Sequence, residues 1–485
     1  MLRATTQAVS PARRAQGATR LALASSEVRH FSSTRPSQKQ RLVILGSGWG
    51  GYEVMQRVDK RKYDVTVVSP NSYFAFTPLL TGASVGTIDF NSALEPVRRY
   101  SQVRYLQAWA DKVDFDRKRI TCMPATGSSA KKQLIDSKIQ DIQDQSLKPA
   151  ASYPGWKPFE LTYDKLVVAV GAYSATFGTP GVADHAYFLK DVRDAAKIRN
   201  RIYECFELAS QPTVTDQERA GLLHFAIVGG GPTGVEFAGE LHDTLTTDLE
   251  QAYPELAPHC RITLYDVAPN ILGSFDKSLA EYATKKFDRA GISIKGSRHV
   301  KRVGEGYLEI EEEGKVPFGL CVWNTGLAPN PLIESISELE KDEKTHSLKI
   351  SDQFRTTSTE GQEMKDVFCI GDASALKEKL PATAQVASQE AQWLAKILNA
   401  EVRGRADPGA FTFHNQGTMA YIGDWSAIVD RSEVSEGPKG ELTGRAAWLL
   451  WRSAYLYKSL SWRNRISLLY HWFATWLGGR RLSRY

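Results

Sequence analysis

Short unbroken runs of apolar residues recur through the middle of the chain, each ended by a glycine or a polar residue. Residues 41–45, 64–70, 163–173, 224–228, 261–266, 320–326 and 366–374 carry this pattern. Their length and lack of alternation predict strands buried on both faces. Helical spacing follows two of them, from about residue 50 to 58 and from Val235 onward, so the chain reads as alternating strand and helix, the α/β class. The tail is written differently. Ile466, Leu469, Tyr470, Phe473, Trp476 and Leu477 fall at i, i+3, i+4, i+7, i+10 and i+11, one face of a helix, after a helix-like segment bearing Trp448, Trp451, Tyr455 and Leu456. Residues 125–158 are polar, rich in Lys and Gln and without apolar periodicity, which predicts an exposed insertion.

Glycines sharpen two of the strand-to-helix turns. After residues 41–45 come Gly46, Gly48, Gly50 and Gly51 in LGSGWGG, and after residues 224–228 come Gly229, Gly231 and Gly234 in GGGPTGVEFAGEL. The G-x-G-x-x-G spacing is what a dinucleotide pyrophosphate needs. The first glycine turns tightly, the second leaves room for phosphate, and the third lets helix and strand approach, with free helix N–H groups as donors. Two such turns imply two dinucleotides, the first read as FAD and the second as NAD(P)H. The strand paired with the second turn ends in Asp266, whose carboxylate can hold ribose hydroxyls and repel the extra phosphate of NADPH. The equivalent end in the first unit is Ser69. Thr77 and Pro78, in an aromatic segment, could lie against a flat ring, Gly171 marks a close backbone approach, and Asp372, after Gly371, would suit a flavin ribityl chain.

Charge changes the picture only at the ends. Seven of the first forty residues are Lys or Arg against one acid, and residues 441–485 hold eight Lys or Arg against Glu441 alone. The middle is therefore acidic, which argues against a nucleic-acid binder with a broad basic face. Residues 1–40, rich in Arg, Ser and Ala, read as a mitochondrial transit peptide. In the tail, Arg445, Arg452, Lys458, Arg463 and Arg465 sit among aromatics, the composition of a helix lying in an anionic membrane surface. No run approaches the length of a spanning helix. The five cysteines, Cys122, Cys205, Cys260, Cys321 and Cys369, are scattered, with no C-x-x-C pair, so neither a disulfide framework nor a metal centre is expected. A dithiol reductase would need such a pair.

LGSGWGG, SYFAFTPLL, GGGPTGVEFAGEL, GDAS and PATAQVASQEAQ, in that order, resemble the type II NADH dehydrogenases, the single-chain alternative NADH:quinone oxidoreductases. The resemblance implies two tandem Rossmann-type domains, non-covalent FAD, NADH as hydride donor and ubiquinone as acceptor, without proton pumping. It implies that Gly46, Gly48, Gly51, Thr77, Pro78 and Asp372 touch FAD, and that Gly229, Gly231, Gly234 and Asp266 hold NADH. Glu236 would lie near the nicotinamide, and Ala384, Gln385 and Ala387, on a helix beginning near Ala382, on the quinone side of the flavin. The expected layout is an FAD domain at 41–195 and 330–400, an NADH domain at 196–329 and a membrane-anchoring region at 401–485. A peripheral place on the inner mitochondrial membrane follows, the matrix face favoured, with a homodimer left open. The competing readings are a sulfide:quinone reductase-like enzyme, for which the intact second fingerprint is unsuited, and an NADH-binding redox-signalling flavoprotein.

Overall fold

The computed structural model describes residues 39–125, 157–459 and 461–482. The leader expected at 1–40 and the insertion expected at 125–158 lie, but for their edge residues, outside the described residues. The chain begins with β1 (Gln40–Leu45), α1 (Trp49–Arg57) and β2 (Tyr63–Ser69), then β3 (Val103–Asp114), β4 (Arg119–Pro124), β5 (Phe159–Thr162), β6 (Lys165–Val168) and β7 (Ala172–Ser174). After α2 (Val192–Ala209) come β8 (His224–Val228), α3 (Pro232–Thr244), β9 (Arg261–Tyr265), β10 (Ser293–Lys295), β11 (Leu320–Trp323) and β12 (Leu327–Pro329). The chain then adds β13 (Arg355–Thr357), β14 (Glu363–Cys369) and α4 (Ala384–Glu401), and ends in β15 (Thr418–Tyr421), β16 (Ala427–Asp430), β17 (Glu441–Thr443), α5 (Gly444–Lys458) and α6 (Trp462–Gly478).

Two sheets carry the molecule. The first runs β13-β14-β6-β1-β2-β3-β4-β5, with β14, β6, β1, β2 and β3 parallel, so residues 363–369 return to the domain that residues 40–69 began. The second runs β10-β9-β8-β11, all parallel. Both central strands are buried along their apolar runs, Leu42 to Leu45 in one and Phe225 to Val228 in the other, because helices cover both faces of a parallel sheet. The crossing between the domains is the two-stranded pair β12-β7. The third unit is a small antiparallel sheet, β15-β16-β17, with α5 and α6.

Of the last two helices, α6 leaves the expected apolar face outward and turns Leu468 inward with its polar side, whereas α5 departs from the expectation. On α6 the polar side faces inward: the Asn464 amide donates to the Leu94 carbonyl at 2.8 Å and to Glu95 at 3.1 Å, and the hydroxyls of Ser467 and Ser92 meet at 2.7 Å. The Thr475 hydroxyl donates to the Thr87 carbonyl at 3.1 Å. The face carrying Ile466, Leu469, Tyr470, Phe473, Trp476 and Leu477 points to solvent, each residue at least half exposed. On α5, by contrast, Trp451 and Tyr455 are buried against the body. They do not join the exposed face, because the α5 stripe is continuous with the protein core. Arg452 is likewise turned onto aromatic rings, its guanidinium 4.5 Å from the Trp472 centroid and 4.7 Å from that of Trp448, so it is not a headgroup contact.

Candidate active site

The first glycine turn, between β1 and α1, shows the division of labour expected of it. Gly46 has φ of 105°, and a Cβ there would fall 2.2 Å from the Ala169 carbonyl oxygen. A Cβ at Gly51 would fall 2.2 Å from the Gly46 carbonyl, the close strand–helix approach. At Gly48 a Cβ would meet nothing within 4 Å, which is the open space a pyrophosphate requires. Gly50 packs on Ile370, where a Cβ would lie 3.0 Å from Cδ1. Ser69, in the acid's usual place, shares a hydrogen bond of 2.9 Å with the Ser47 hydroxyl.

Side chains close this cradle from two directions. Trp49, inside the fingerprint, donates its indole N–H to the Thr77 hydroxyl at 3.1 Å and packs its ring on Phe74 and Phe76, so Thr77 and Pro78 are carried to the turn. From the other side, Gly371 has φ of 71° and donates its N–H at 2.6 Å to Glu390, a buried carboxylate on α4. Burial pushes the Glu390 carboxyl up to about 7 against that hydrogen bond. The bond fixes the turn that presents Asp372, and a Cβ at Gly371 would lie 3.4 Å from Ala387, so the Gly-Asp turn and the Ala384–Ala387 element touch. Gly171, with φ of 66° and an open Cβ direction, lies in the break between β6 and β7, so the strand expected over 163–173 is two. This is a cradle that fits FAD.

The second turn repeats the first. Gly229 has φ of 113°, with a Cβ position 2.5 Å from the Asn324 carbonyl, a Cβ at Gly234 would fall 2.0 Å from the Gly229 carbonyl, and a Cβ at Gly231 would meet nothing within 4 Å. Asp266 follows β9 and turns toward this loop, one oxygen accepting the Gly230 N–H and the other the Ala268 N–H at 2.7 Å. A carboxylate held by its own loop thus stands beside the second glycine turn.

Glu236, one turn into α3, is fully buried where three units meet. Its carboxyl accepts the Trp451 indole N–H at 3.1 Å and the Tyr421 backbone N–H at 3.3 Å. Burial pushes it up to about 8, against these bonds and one from Tyr455, which favours its protonated form. Gln385 lies on α4, which starts at Ala384, not Ala382, with Thr383 as its N-cap. Its amide is stapled to the following segment, accepting the Gln416 N–H at 3.0 Å and donating to the Gly417 carbonyl at 3.3 Å. Sequence reasoning missed Trp451, Tyr421 and Glu390 as parts of the site. Glu390 follows Gln385 by five residues and could have been found as an acid on the apolar side of its helix; Tyr421 and Trp451 have no local signal.

The cysteines provide no redox centre. Burial pushes the thiols of Cys122, Cys205, Cys260 and Cys321 up to about 12, and raises Cys369 as well.

Residues 40–391 match the pyridine nucleotide-disulphide oxidoreductase family, and residues 415–481 match the NDH2 C-terminal domain. A mitochondrial internal alternative NAD(P)H-ubiquinone oxidoreductase A1 from Arabidopsis thaliana is 36% identical over 94% of this chain and 87% of its own length. An external NADH-ubiquinone oxidoreductase 2 from Saccharomyces cerevisiae is 36% identical over 92% and 82%. The chain belongs to the alternative NAD(P)H-ubiquinone oxidoreductases, the type II NADH dehydrogenases. The solved structure of NDH2 from Plasmodium falciparum in complex with NADH has a TM-score of 0.80 at 25% identity, covering 92% of this chain and all of that one. A sulfide:quinone oxidoreductase from Aquifex aeolicus shares the fold, with a TM-score of 0.63 at 16% identity. Membership in the family, with no activated cysteine among the described residues, sets the sulfide:quinone reading aside.

Proposed function

We propose that this flavoprotein of the mitochondrion oxidises NADH and reduces ubiquinone through FAD held in the first cradle. The observation that carries the reading is the pair of glycine turns with open middle positions at Gly48 and Gly231, one per sheet, with the two domains linked by the β7–β12 pair. Bound FAD supplies the two-electron relay between hydride donor and quinone. The chain's part is placement. Gly46, Gly48 and Gly51 admit the FAD pyrophosphate, Gly50 lets α1 lie on Ile370, Thr77 and Pro78 border the ring, and Asp372 takes the ribityl hydroxyls. Gly229, Gly231 and Gly234 admit the NADH pyrophosphate, and Asp266 takes its ribose.

Glu236, whose protonated form burial favours at the junction with α5, is the residue we assign near the nicotinamide. Ala384, Gln385 and Ala387 face the quinone side, next to the Gly371–Asp372 turn. The domain limits we propose are those of the two sheets, 41–195 with 330–400 for FAD, 196–329 for NADH and 401–485 for the anchoring region.

The apolar side of α6 supports a peripheral seat on the inner membrane. No described helix is long and apolar enough to cross. A soluble helix buries its apolar side, whereas α6 turns Asn464, Ser467 and Leu468 inward and presents a wider face of aromatics and leucines to solvent, with Arg463 exposed beside them. Residues 1–40, Arg-rich and acid-poor, support import, and we place the enzyme on the matrix face. Flavin bands that bleach on anaerobic addition of NADH and return on addition of ubiquinone test the whole reading. A colourless protein, or bands that NADH leaves unchanged, would refute it; release of intact mitochondria's activity by external NADH alone would refute the matrix face.

A further inference from the structure

We propose that Phe177 is a positioning residue for the nicotinamide half of NADH, its ring walling the second cradle on the side opposite Asp266. The proposal rests on the reading of residues 229–234 as the NADH pyrophosphate site. Its starting point is a conflict in the backbone. Thr176 to Thr179 form a tight turn closed by the Thr179 N–H, which donates to the Thr176 carbonyl at 2.9 Å. The two central residues, Phe177 and Gly178, have φ of 52° and 69°. A turn with two positive φ values takes asparagine, aspartate or glycine at its first central position, and a bulky aromatic there is strained. The fold gains little in return, because the Phe177 side is 71% exposed. Strain kept without burial points to a site, not to the core.

What lies under the ring connects it to the cradle. A Cβ at Gly326 would fall 2.3 Å from Phe177 Cζ, so the ring rests on bare backbone. The Ala175 N–H donates to the Gly326 carbonyl at 3.3 Å, and the Trp323 indole N–H donates to the Ala175 carbonyl at 2.9 Å, which fixes the turn to residues 323–326. That same loop walls the second glycine turn: the Asn324 N–H donates to the Val228 carbonyl at 2.7 Å, and the Asn324 carbonyl sits against Gly229. The Asn324 side-chain Nδ2 is buried there with no hydrogen-bond partner among the described residues.

The sheet order gives the direction. In β10-β9-β8-β11, Asp266 follows β9 on one side of β8 and Asn324 follows β11 on the other. A dinucleotide with its pyrophosphate at Gly231 and its adenosine ribose toward Asp266 therefore sends its nicotinamide half across β8 toward residues 324–326. Phe177 offers an unoccupied π-face at that end, suited to offset packing on a planar ring.

The test compares Phe177→Gly and Phe177→Leu with the parent in the full-length, flavin-loaded enzyme. Glycine suits a φ of 52°, so the melting temperature should hold or rise, while leucine keeps bulk without the flat face. The Kd for NADH, read from the concentration dependence of anaerobic flavin bleaching, should rise about tenfold in Phe177→Gly. The inhibition constant of ADP-ribose, which has the pyrophosphate and adenosine but no nicotinamide, should stay within about twofold. A lower melting temperature with an unchanged NADH Kd would make the ring structural and overturn the proposal. Equal weakening of NADH and ADP-ribose would place the ring at the adenosine half and overturn it as well. A parent that ADP-ribose does not inhibit would fail at residues 229–234 themselves, a separate failure that removes the ground on which the proposal stands.

Discussion

The two cradles are built on the same three glycines and part company at the fourth position. In each, the first glycine has φ above 100° and leans on a carbonyl from a neighbouring strand end, the third presses on the carbonyl of the first, and the middle one is open. At the end of the next strand the first cradle has Ser69, satisfied by Ser47, and the second has Asp266, satisfied by its own loop. The surroundings differ too. The first is closed by a turn from its own domain, through Glu390 and Gly371, whereas beyond the second lie Glu236 and the C-terminal unit. A cofactor that stays can be enclosed and needs no charge to reject a competitor; a substrate that leaves at each turnover needs an open side and a selecting group.

The largest effects should come from the glycines, and they separate architecture from binding. Gly46→Ala and Gly229→Ala should cost several kcal/mol of stability, because each combines a positive φ with a carbonyl too close for any side chain. Thermal melts of the purified variants check this, with losses of about 3–7 °C expected if about 3 kcal/mol is removed. Gly48→Val and Gly231→Val should add little strain, since a Cβ at either position meets nothing within 4 Å, and only Gly48→Val should melt lower, by the stabilisation that bound FAD supplies. The first should lose flavin colour; the second should keep it and lose reduction by NADH at least a hundredfold. Gly231→Val enzyme bleached by NADH at the parent rate would break the equivalence of the two turns.

The next effect concerns Glu236, whose counterpart on α1, Glu53, pairs with Arg57 at 2.6 Å instead of facing buried aromatic residues. Its carboxyl is raised from the ordinary 4.5 to about 8 by burial. The folded state therefore holds a proton that the unfolded chain has released, so stability falls as pH rises through the window from about 4.5 to 8. Glu236→Gln should flatten that slope, with the gain over the parent growing toward pH 8, read from melting temperatures across the range. Glu390, raised to about 7, adds a similar fall over a narrower window and should remain in the variant. An identical slope in parent and variant would mean that the Glu236 carboxyl is not the proton held.

Removing the whole of residues 441–485 is a poor way to test the membrane seat, because Trp451 and Tyr455 are core and Arg480 pairs with Asp248 at 2.6 Å. Truncation should unfold the junction at Glu236. A smaller change is cleaner. Phe473→Ser with Trp476→Ser on exposed positions should leave melting within about 0.5 kcal/mol in stability terms, yet lower liposome binding more than tenfold, since burying each aromatic contributes roughly 1.5–3 kcal/mol. Liposome flotation with anionic vesicles checks it. Unchanged flotation, or a parent dimer that the variant cannot form, would assign the face to a second copy instead.

The strands, both glycine turns and the outward face of α6 were legible because each is a local pattern: an apolar run, a spacing, a period. Asp266 was legible for the same reason, as the residue ending a strand. What could not be read were contacts that join distant segments. Trp451 looked like one more tail aromatic, yet it lies against a carboxyl 215 positions away, and Arg452 beside it faces inward for the same reason. Gln385 was read as facing the quinone, but the staple to residues 416–417 gives it a structural duty that sequence carries no sign of. Substituting it should therefore slow both half-reactions somewhat, through α4, in addition to any quinone effect.

The smallest predicted change returns to the position where the cradles differ. Asp266→Ser gives the second cradle the residue of the first. It removes a half-buried carboxylate that accepts two loop N–H groups, so NADH use should fall as the loop loosens and a ribose partner is lost. It also removes the repulsion of a 2′-phosphate, worth about 1 to 4 kcal/mol at 4 Å depending on the dielectric, and with water at hand the lower end applies. The ratio of kcat/KM for NADPH to that for NADH should therefore rise about tenfold, even though NADH use declines. Asp266→Asn, which keeps size and one acceptor, should give a similar shift in the ratio with a smaller loss for NADH. Both effects shrink with added salt if they are electrostatic, as screening acts on the exposed side of the loop. A ratio that stays at the parent value in both variants would show that Asp266 serves only its loop, and that the two cradles select their dinucleotides by something other than the residue at which they differ.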